Sequence, residues 1–418
     1  MMGKKVVIVG GGIVGLSCAY YLQKEGHQVT LIDKGNFKEG ASYVNAGYLT
    51  PSHILPLASP AMLEKGIRWM FRSDSPFYIQ PRLDLDLWRW GWHFIRSCSS
   101  AHVERSIQVI KDINLFSKAL YLDLKEGGEF DFHIEKKGLL MAYQTAEVER
   151  EETRLMKRAL AEDLEVTHLS SEEVTQLQPE APMQIKGAFW YQCDAHLNPE
   201  LFMQQLKGFL EKKGVQIIAN TPVVEFKQAS GTIKEVVLPA KTITADVVVM
   251  ATGAWSEKLV KPLGIKLPIQ AGKGYRINVT NTPKITYPAL LLEAKVAVTP
   301  MGNYTRFGGT MELSGLNHKL HKKRIEALVQ GAMRYYEGLQ IPEEAKQAAR
   351  CGLRPLSPDG LPFIGPHSRC KNFILATGHA MMGWSLGPAT GKLVAELISE
   401  KKTSLQLSPF HPERLKRF

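Results

Sequence analysis

The chain has 418 residues, 44% hydrophobic and 22% charged, the make-up of a globular protein with two or three domains rather than a disordered or fibrous one. A net charge of +11, from 52 basic and 41 acidic side chains, leaves solvated helix faces, a lipid surface or an anionic substrate as its readings. No apolar run approaches the ~18 residues of a membrane span. Five scattered cysteines (Cys18, Cys98, Cys193, Cys351, Cys370) lack the spacing of a zinc site or disulfide framework and point to reduced thiols in a cytoplasmic setting.

Lys4-Lys5 leads straight into Val6–Val9, a β-branched run that predicts a buried parallel strand. Gly10-Gly11-Gly12-Ile13-Val14-Gly15 then opens a predicted helix to Gly26, and Val29–Ile32 predicts a second strand ending in Asp33 and Lys34. Gly10 suits a tight turn, Gly12 the approach of a pyrophosphate, and Gly15 close packing of helix on strand. The helix N-terminus offers unpaired N–H groups and a positive dipole end to phosphates. Asp33 stands 18 residues beyond Gly15, near the spacing of an acceptor for ribose hydroxyls. These features together predict a dinucleotide site. Because the glycines belong to the fold, a signal peptide is rejected.

Loop-rich sequence follows from 35 to 81. Residues 67–95 hold four of the seven tryptophans (Trp69, Trp88, Trp90, Trp92), interleaved with Arg68, Arg72, Arg82 and Arg89 and followed by Arg96. That mixture suits a lipid headgroup interface, and equally a helix whose aromatic face covers a neighbouring domain; the second is the expectation. Apolar residues three and four apart predict helices at 102–126 and 146–163. Gly187–Tyr191 alternates as a strand, and Pro199 opens a helix through Leu210. Nucleotide-domain strands return at 215–218, 223–226 and 245–250, strands with polar alternation fill about 268–312, and a helix is predicted at 319–338. The strand 373–378 enters a last Gly-rich turn and a final helix to about Ile398. His318 and His321 lack an acidic or cysteine partner nearby in sequence, so no metal site is expected.

A nicotinamide enzyme would complete its nucleotide unit early, whereas this chain leaves the unit and returns to it. No second G-x-G-x-x-G is present. Over essentially the full chain the sequence resembles the D-amino-acid oxidase and glycine oxidase superfamily, with its nearest likeness among bacterial D-amino-acid dehydrogenases. Five segments carry the resemblance: Ala41-Ser42 with Asn45-Ala46-Gly47, Val223, Ala251-Thr252-Gly253-Ala254-Trp255, Gly352-Leu353-Arg354-Pro355, and Gly378-His379 with Met382-Gly383-Trp384-Ser385.

The resemblance implies FAD as cofactor and an α/β fold: a Rossmann-like FAD-binding domain (1–80, 200–265 and 350–418) interleaved with an α+β substrate domain (81–199 and 266–349) built on a mostly antiparallel sheet. It makes the 41–47 loop the neighbour of the isoalloxazine, and Val223 that of the adenine. The Ala251 and Gly378 segments become further flavin contacts. A helix start near Gly383–Gly387, with Ser385, would face the flavin C2 carbonyl, where negative charge collects on reduction.

Arg354 matches the substrate-carboxylate arginine, a role for which guanidinium geometry is suited. Tyr275 is a candidate second donor to that carboxylate, and Tyr48 a part of the pocket roof; either also reads as a packing aromatic. His379 is read as structural, since a substrate arriving as free amine needs no catalytic base.

The expected reaction is oxidation of a D-amino acid, D-proline or a hydroxyproline epimer included, by hydride transfer from Cα to flavin N5. Electrons would pass to a quinone-type acceptor, with contact to the inner face of the cell membrane kept as an alternative to a freely cytoplasmic enzyme. An oxygen-using glycine or sarcosine oxidase, and a flavin subunit that works only with partner subunits, are the rival readings. Nucleic-acid binding is disfavoured.

Overall fold

The computed structural model describes residues 3–64 and 77–417. Arg68, Trp69 and Arg72 of the aromatic stretch lie outside the described residues.

The β-branched run at Lys5–Val9 forms the middle of a six-stranded sheet. It pairs in parallel with Gln28–Ile32 on one side and Val247–Met250 on the other. Gln216–Ile218 extends the sheet beyond Gln28–Ile32, and Cys370–Thr377 beyond Val247–Met250; only the edge strand Phe363–His367 is antiparallel. Chain order therefore reverses beside the first strand. Ligands of open α/β sheets sit at such a switch point, outside the carboxyl ends of the strands. The helix Ile13–Lys24 is buried along most of its length, packed between the sheet and the helix Gly387–Ile398.

A nine-stranded sheet forms the second body, antiparallel except where Ala289–Leu291 meets Leu139–Tyr143 and where Phe77–Ile79 meets Thr305–Leu313. Its longest strands, Gln270–Val279 and Thr305–Leu313, pair with each other, and Arg350–Leu356 pairs with Gln270–Val279. The sequence-based division thus needs moving at two points. Phe77–Ile79 and Arg350–Leu356, read with the nucleotide portion, belong to this sheet. The residues read as a strand at 223–226 also differ: the strand runs Glu225–Ala229, in a separate three-stranded antiparallel sheet.

The helices at Ser100–Glu126, Ala146–Ala161 and Pro199–Lys212 follow the apolar periodicity. The helix predicted at 319–338 spans only Lys322–Met333. Its first residues instead form an irregular approach held by Lys273, whose Nζ donates to the Lys319 carbonyl at 3.0 Å.

Candidate active site

One large cavity, about 1720 Å³, separates the two sheets. Most small-molecule pockets measure ~300–1,000 Å³, so this one has room for a dinucleotide and a substrate together.

At the six-stranded sheet its wall is the Gly-rich turn. Gly10 sits at φ +109°, and a Cβ there would lie 2.4 Å from the Ala251 carbonyl oxygen. A Cβ on Gly15 would lie 1.8 Å from the Gly10 carbonyl oxygen, so the helix can approach its strand only with glycine here. Gly12 has more space: its nearest neighbour would be Ser42 Oγ at 3.2 Å, and that hydroxyl accepts the Ile13 N–H at 3.0 Å. The first helical turn carries no acidic side chain, and Gly12, Ile13 and Val14 all line the cavity. An anion is what such a terminus accepts.

Asp33 closes the turn from the next strand, its Oδ2 accepting the Gly11 N–H and its Oδ1 the Gly35 N–H, both at 2.6 Å. Lys34 lies over the Trp255 ring, 3.3 Å from its centroid, and Trp255 also stacks on His318. Ala41, Asn45, Ala46, Val223, Ala251, Thr252 and Gly253 line the same cavity. Gly47 is set behind it, with a Cβ position 2.1 Å from the Leu197 carbonyl oxygen.

The opposite wall comes from the nine-stranded sheet. Arg354 lies across Gly274, where a Cβ would come within 2.2 Å of its guanidinium. Its Nη1 donates to the Thr310 carbonyl at 2.9 Å, and no carboxylate among the described residues pairs with it. Desolvation lowers its pKa to about 10, so it remains a cation at neutral pH. Pro355 ties this strand to the closing motif, its carbonyl accepting the Ala380 N–H at 2.8 Å. His379 is buried, with Nε2 2.9 Å from Thr390 Oγ1, and burial depresses its pKa to about 3. It is therefore a neutral imidazole. Met382, Gly383 and Trp384 continue the wall, and Gly378 packs on Phe363 behind it.

Two expected donors, Tyr275 and Ser385, and the hydroxyl of the roof candidate Tyr48 are directed elsewhere. Tyr275 donates its hydroxyl hydrogen to Glu312 Oε2 at 2.9 Å and accepts the His321 N–H. The Tyr48 hydroxyl lies 2.9 and 2.8 Å from the carbonyls of Ala289 and Val298. Ser385 donates to Asn114 Oδ1 and accepts the Thr50 N–H. All three line the cavity, but their hydroxyl hydrogens are already engaged by protein acceptors. The last helix begins at Gly387, at the end of the range expected for it, after a turn at 383–386.

Sequence reasoning passed over two features. Thr310, which orients Arg354 through its carbonyl, holds φ +65° on a non-glycine residue, a conformation no motif announces. His53 lines the cavity with Nδ1 2.9 Å from Ser52 Oγ, and that hydroxyl donates to the buried Asp194 at 2.6 Å. These residues are separated by 142 positions, so spacing could not have joined them.

The family of FAD-dependent oxidoreductases called DAO matches residues 5–397. The chain belongs to this family. FAD is its cofactor, and the glycine turn, the anion-ready helix terminus, Asp33 and the size of the cavity suit that group. Among relatives of this DAO-family enzyme, a D-amino acid dehydrogenase of Neisseria meningitidis is 33% identical, over 96% of this chain and 97% of that one. A D-amino acid dehydrogenase of Helicobacter pylori is 30% identical, over 97% and 98%. Glycine oxidase from Geobacillus kaustophilus shares the fold, with a TM-score of 0.78 at 22% identity over 98% of this chain and 99% of its own.

Proposed function

We propose that this flavoenzyme is a dehydrogenase of D-amino acids, cyclic ones such as D-proline or a hydroxyproline epimer included, that passes its electrons to a quinone-type acceptor. The observation carrying this reading is Arg354, a guanidinium at the cavity wall with no carboxylate partner among the described residues. A desolvated, half-buried cation without a counter-ion is costly to keep. A substrate carboxylate supplies the missing charge, in a bidentate grip that also fixes the orientation of Cα. The names of the relatives, all at full-length coverage, support the D-enantiomer.

The chain's own residues then divide the work. Gly10, Gly12, Ile13 and Val14 receive the pyrophosphate, Gly15 lets the helix close on its strand behind them, and Asp33 with Lys34 meets the ribose. Ala41, Ser42, Asn45 and Ala46, with Met382, Gly383 and Trp384, border the flavin ring; Gly47 shapes the turn behind them. Val223 borders the adenine, and Ala251 to Gly253 with Trp255 lie between the two ends. Tyr275 and Tyr48 act as walls, with their hydroxyls committed to the protein. Bound FAD supplies the hydride acceptor. His379 stabilises the closing loop, and with its pKa depressed to about 3 by burial it is too weak a base to take the amine's proton, in keeping with a substrate that arrives as the free amine.

The test is anaerobic mixing of the purified yellow protein with D- and L-amino acids, glycine, sarcosine and prolines. Bleaching by D-isomers, with reoxidation faster by a quinone analogue than by air, is the expected result. Rapid reoxidation by air would make the protein an oxidase. Absence of bleaching by every amine would overturn the reading.

A further inference from the structure

The helix Leu85–Ser97 has an inner and an outer apolar face. The inner face is built on Trp90, 5% exposed, which donates its indole N–H to the Leu356 carbonyl at 2.8 Å and stacks on Phe94. Around it pack Leu57, Met311, Leu356 and Ala380. The outer face carries Leu85 (82% exposed), Trp88 (67%), Trp92 (60%) and Ile95 (57%). Their spacing of three, four and three residues places them on one stripe along the helix. With Leu83 they make five of the twelve exposed large hydrophobic side chains among the described residues, within thirteen positions of sequence. Isolated exposed apolar residues are ordinary; a contiguous set marks a contact surface.

The rim of the stripe is basic. Arg89 and Lys261 flank it, and the Arg96 guanidinium lies 5.4 Å from the Trp92 ring centroid. Two carboxylates of the segment are already engaged. Asp84 caps the helix and bonds Arg82 at 2.8 Å; Asp86 pairs with Arg89 at 3.2 Å and with Lys261 at 3.0 Å. Arg82, Arg89, Arg96 and Lys261 outnumber Asp84, Asp86 and the neighbouring Glu257, in a chain whose net charge is +11. Trp90, Gly91, Phe94 and Ile95 of the same helix also line the cavity. Ile95 is both exposed and part of the wall, so the cavity opens beside the stripe.

We propose that the helix Leu85–Ser97 is a lipid-docking element that lies in the plane of an anionic bilayer with Leu85, Trp88, Trp92 and Ile95 at the acyl-chain boundary. Indole rings and arginines side by side suit the headgroup layer, and a stripe one helix wide suits shallow immersion. No helix among the described residues is long and apolar enough to span a membrane, so the contact is peripheral. Docking brings the cavity mouth to the bilayer surface, where a lipid-soluble acceptor would enter. Only that purpose rests on the acceptor reading above; the docking itself rests on exposure and charge.

The test is flotation of the full-length flavoprotein with phosphatidylcholine vesicles containing about 30% phosphatidylglycerol at low salt, a composition that gives a negative surface potential. Wild type should float, and should float less with pure phosphatidylcholine or in high salt. The double variant W88S/W92S removes two exposed indoles that do not line the cavity. It should keep its flavin spectrum, its melting temperature and its turnover with a water-soluble dye. Its vesicle-bound fraction should fall about tenfold or more.

Wild type that stays unbound to anionic vesicles at low salt would overturn the proposal. So would a W88S/W92S variant that floats as well as wild type, or a wild-type dimer that this variant makes monomeric, which would assign the stripe to a second copy. Flotation needs no turnover, so failure of the amino-acid assay leaves this result readable.

Discussion

Lys273 Nζ lies 3.2 Å from Glu312 Oε1, and neither side chain has any surface exposed to solvent. Glu312 also accepts the Tyr275 hydroxyl and faces Arg324 at 3.3 Å, while Lys273 donates to Asn317 at 2.6 Å and to the Lys319 carbonyl. This pair fixes Tyr275 in the cavity wall and holds the segment before the helix Lys322–Met333. Removing one member of a buried pair leaves the other uncompensated, at a cost of about 3–5 kcal/mol, whereas removing both together often costs far less. Glu312→Gln, which leaves the Lys273 ammonium with no carboxylate, should therefore destabilise strongly in urea unfolding, and Lys273→Met less, because Glu312 still faces Arg324. The double variant should be less destabilised than the sum of the two. Additive losses would show that the two side chains act independently.

The glycine turn separates two kinds of damage. Gly15→Ala forces a methyl group into the Gly10 carbonyl oxygen, at 1.8 Å, and both partners are backbone or fixed to it. It should yield little soluble protein. Gly12→Ala meets only the Ser42 hydroxyl at 3.2 Å, so the protein should fold, with its helix content by circular dichroism preserved. Its flavin content after gel filtration should fall well below that of wild type, because the added methyl stands where the backbone must meet phosphate. Full flavin occupancy in Gly12→Ala would remove this turn from the cofactor site.

The turn was legible because each of its requirements is local: a positive φ, a close approach and an acid after the next strand, all within 34 residues. Arg354 was legible through the segment around it. The engagement of Tyr275 was not, because its acceptor Glu312 is 37 positions away and meets it only through pairing of two long strands. The Ser385 hydroxyl is captured in the same way by Asn114, 271 positions distant. For the tryptophans, helical geometry decides: Trp88 and Trp92, four apart, share the solvent face, and Trp90 between them turns inward. The expected cover over a neighbouring domain describes Trp90 and not its two neighbours. Arg350–Leu356 was placed with the nucleotide portion through its resemblance segment, and a short motif does not record which sheet its strand joins.

Arg354 is placed so that charge alone will not replace it. Its guanidinium spreads over Gly274 and spends one N–H on the Thr310 carbonyl, leaving further N–H groups for a planar anion. Arg354→Lys keeps the charge but presents a single ammonium group on a different stem. It should bind FAD normally and raise KM for the amino acid by about 100-fold, equivalent to about 2.7 kcal/mol. The dissociation constant from anaerobic flavin titration should rise in parallel. If KM stays within a few-fold of wild type, the carboxylate is held elsewhere in the cavity.

Three desolvated histidines weaken the fold in acid. Burial pushes the pKa of His53 to about 4, His196 to about 4 and His379 to about 3. In the unfolded chain these imidazoles titrate near 6.5. Between 6.5 and 4 the unfolded chain binds protons that the folded one refuses, so their contribution is complete above pH 6.5 and is lost as pH falls. Asp194, raised to about 7, and Glu257, raised to about 8, both chiefly by burial, work in the opposite sense: they keep a proton in the fold that the unfolded chain has released, and so reduce stability as pH rises through 4 to 8. A melting curve of wild type alone therefore mixes two slopes. His196 sits in the strand Ala195–Leu197, apart from the cavity wall, and so isolates one of them. His196→Gln cannot take the extra proton, and its melting temperature relative to wild type should rise steadily as pH is lowered from 6.5 to 4.5. A difference that does not change with pH would show that His196 has the same proton affinity folded and unfolded.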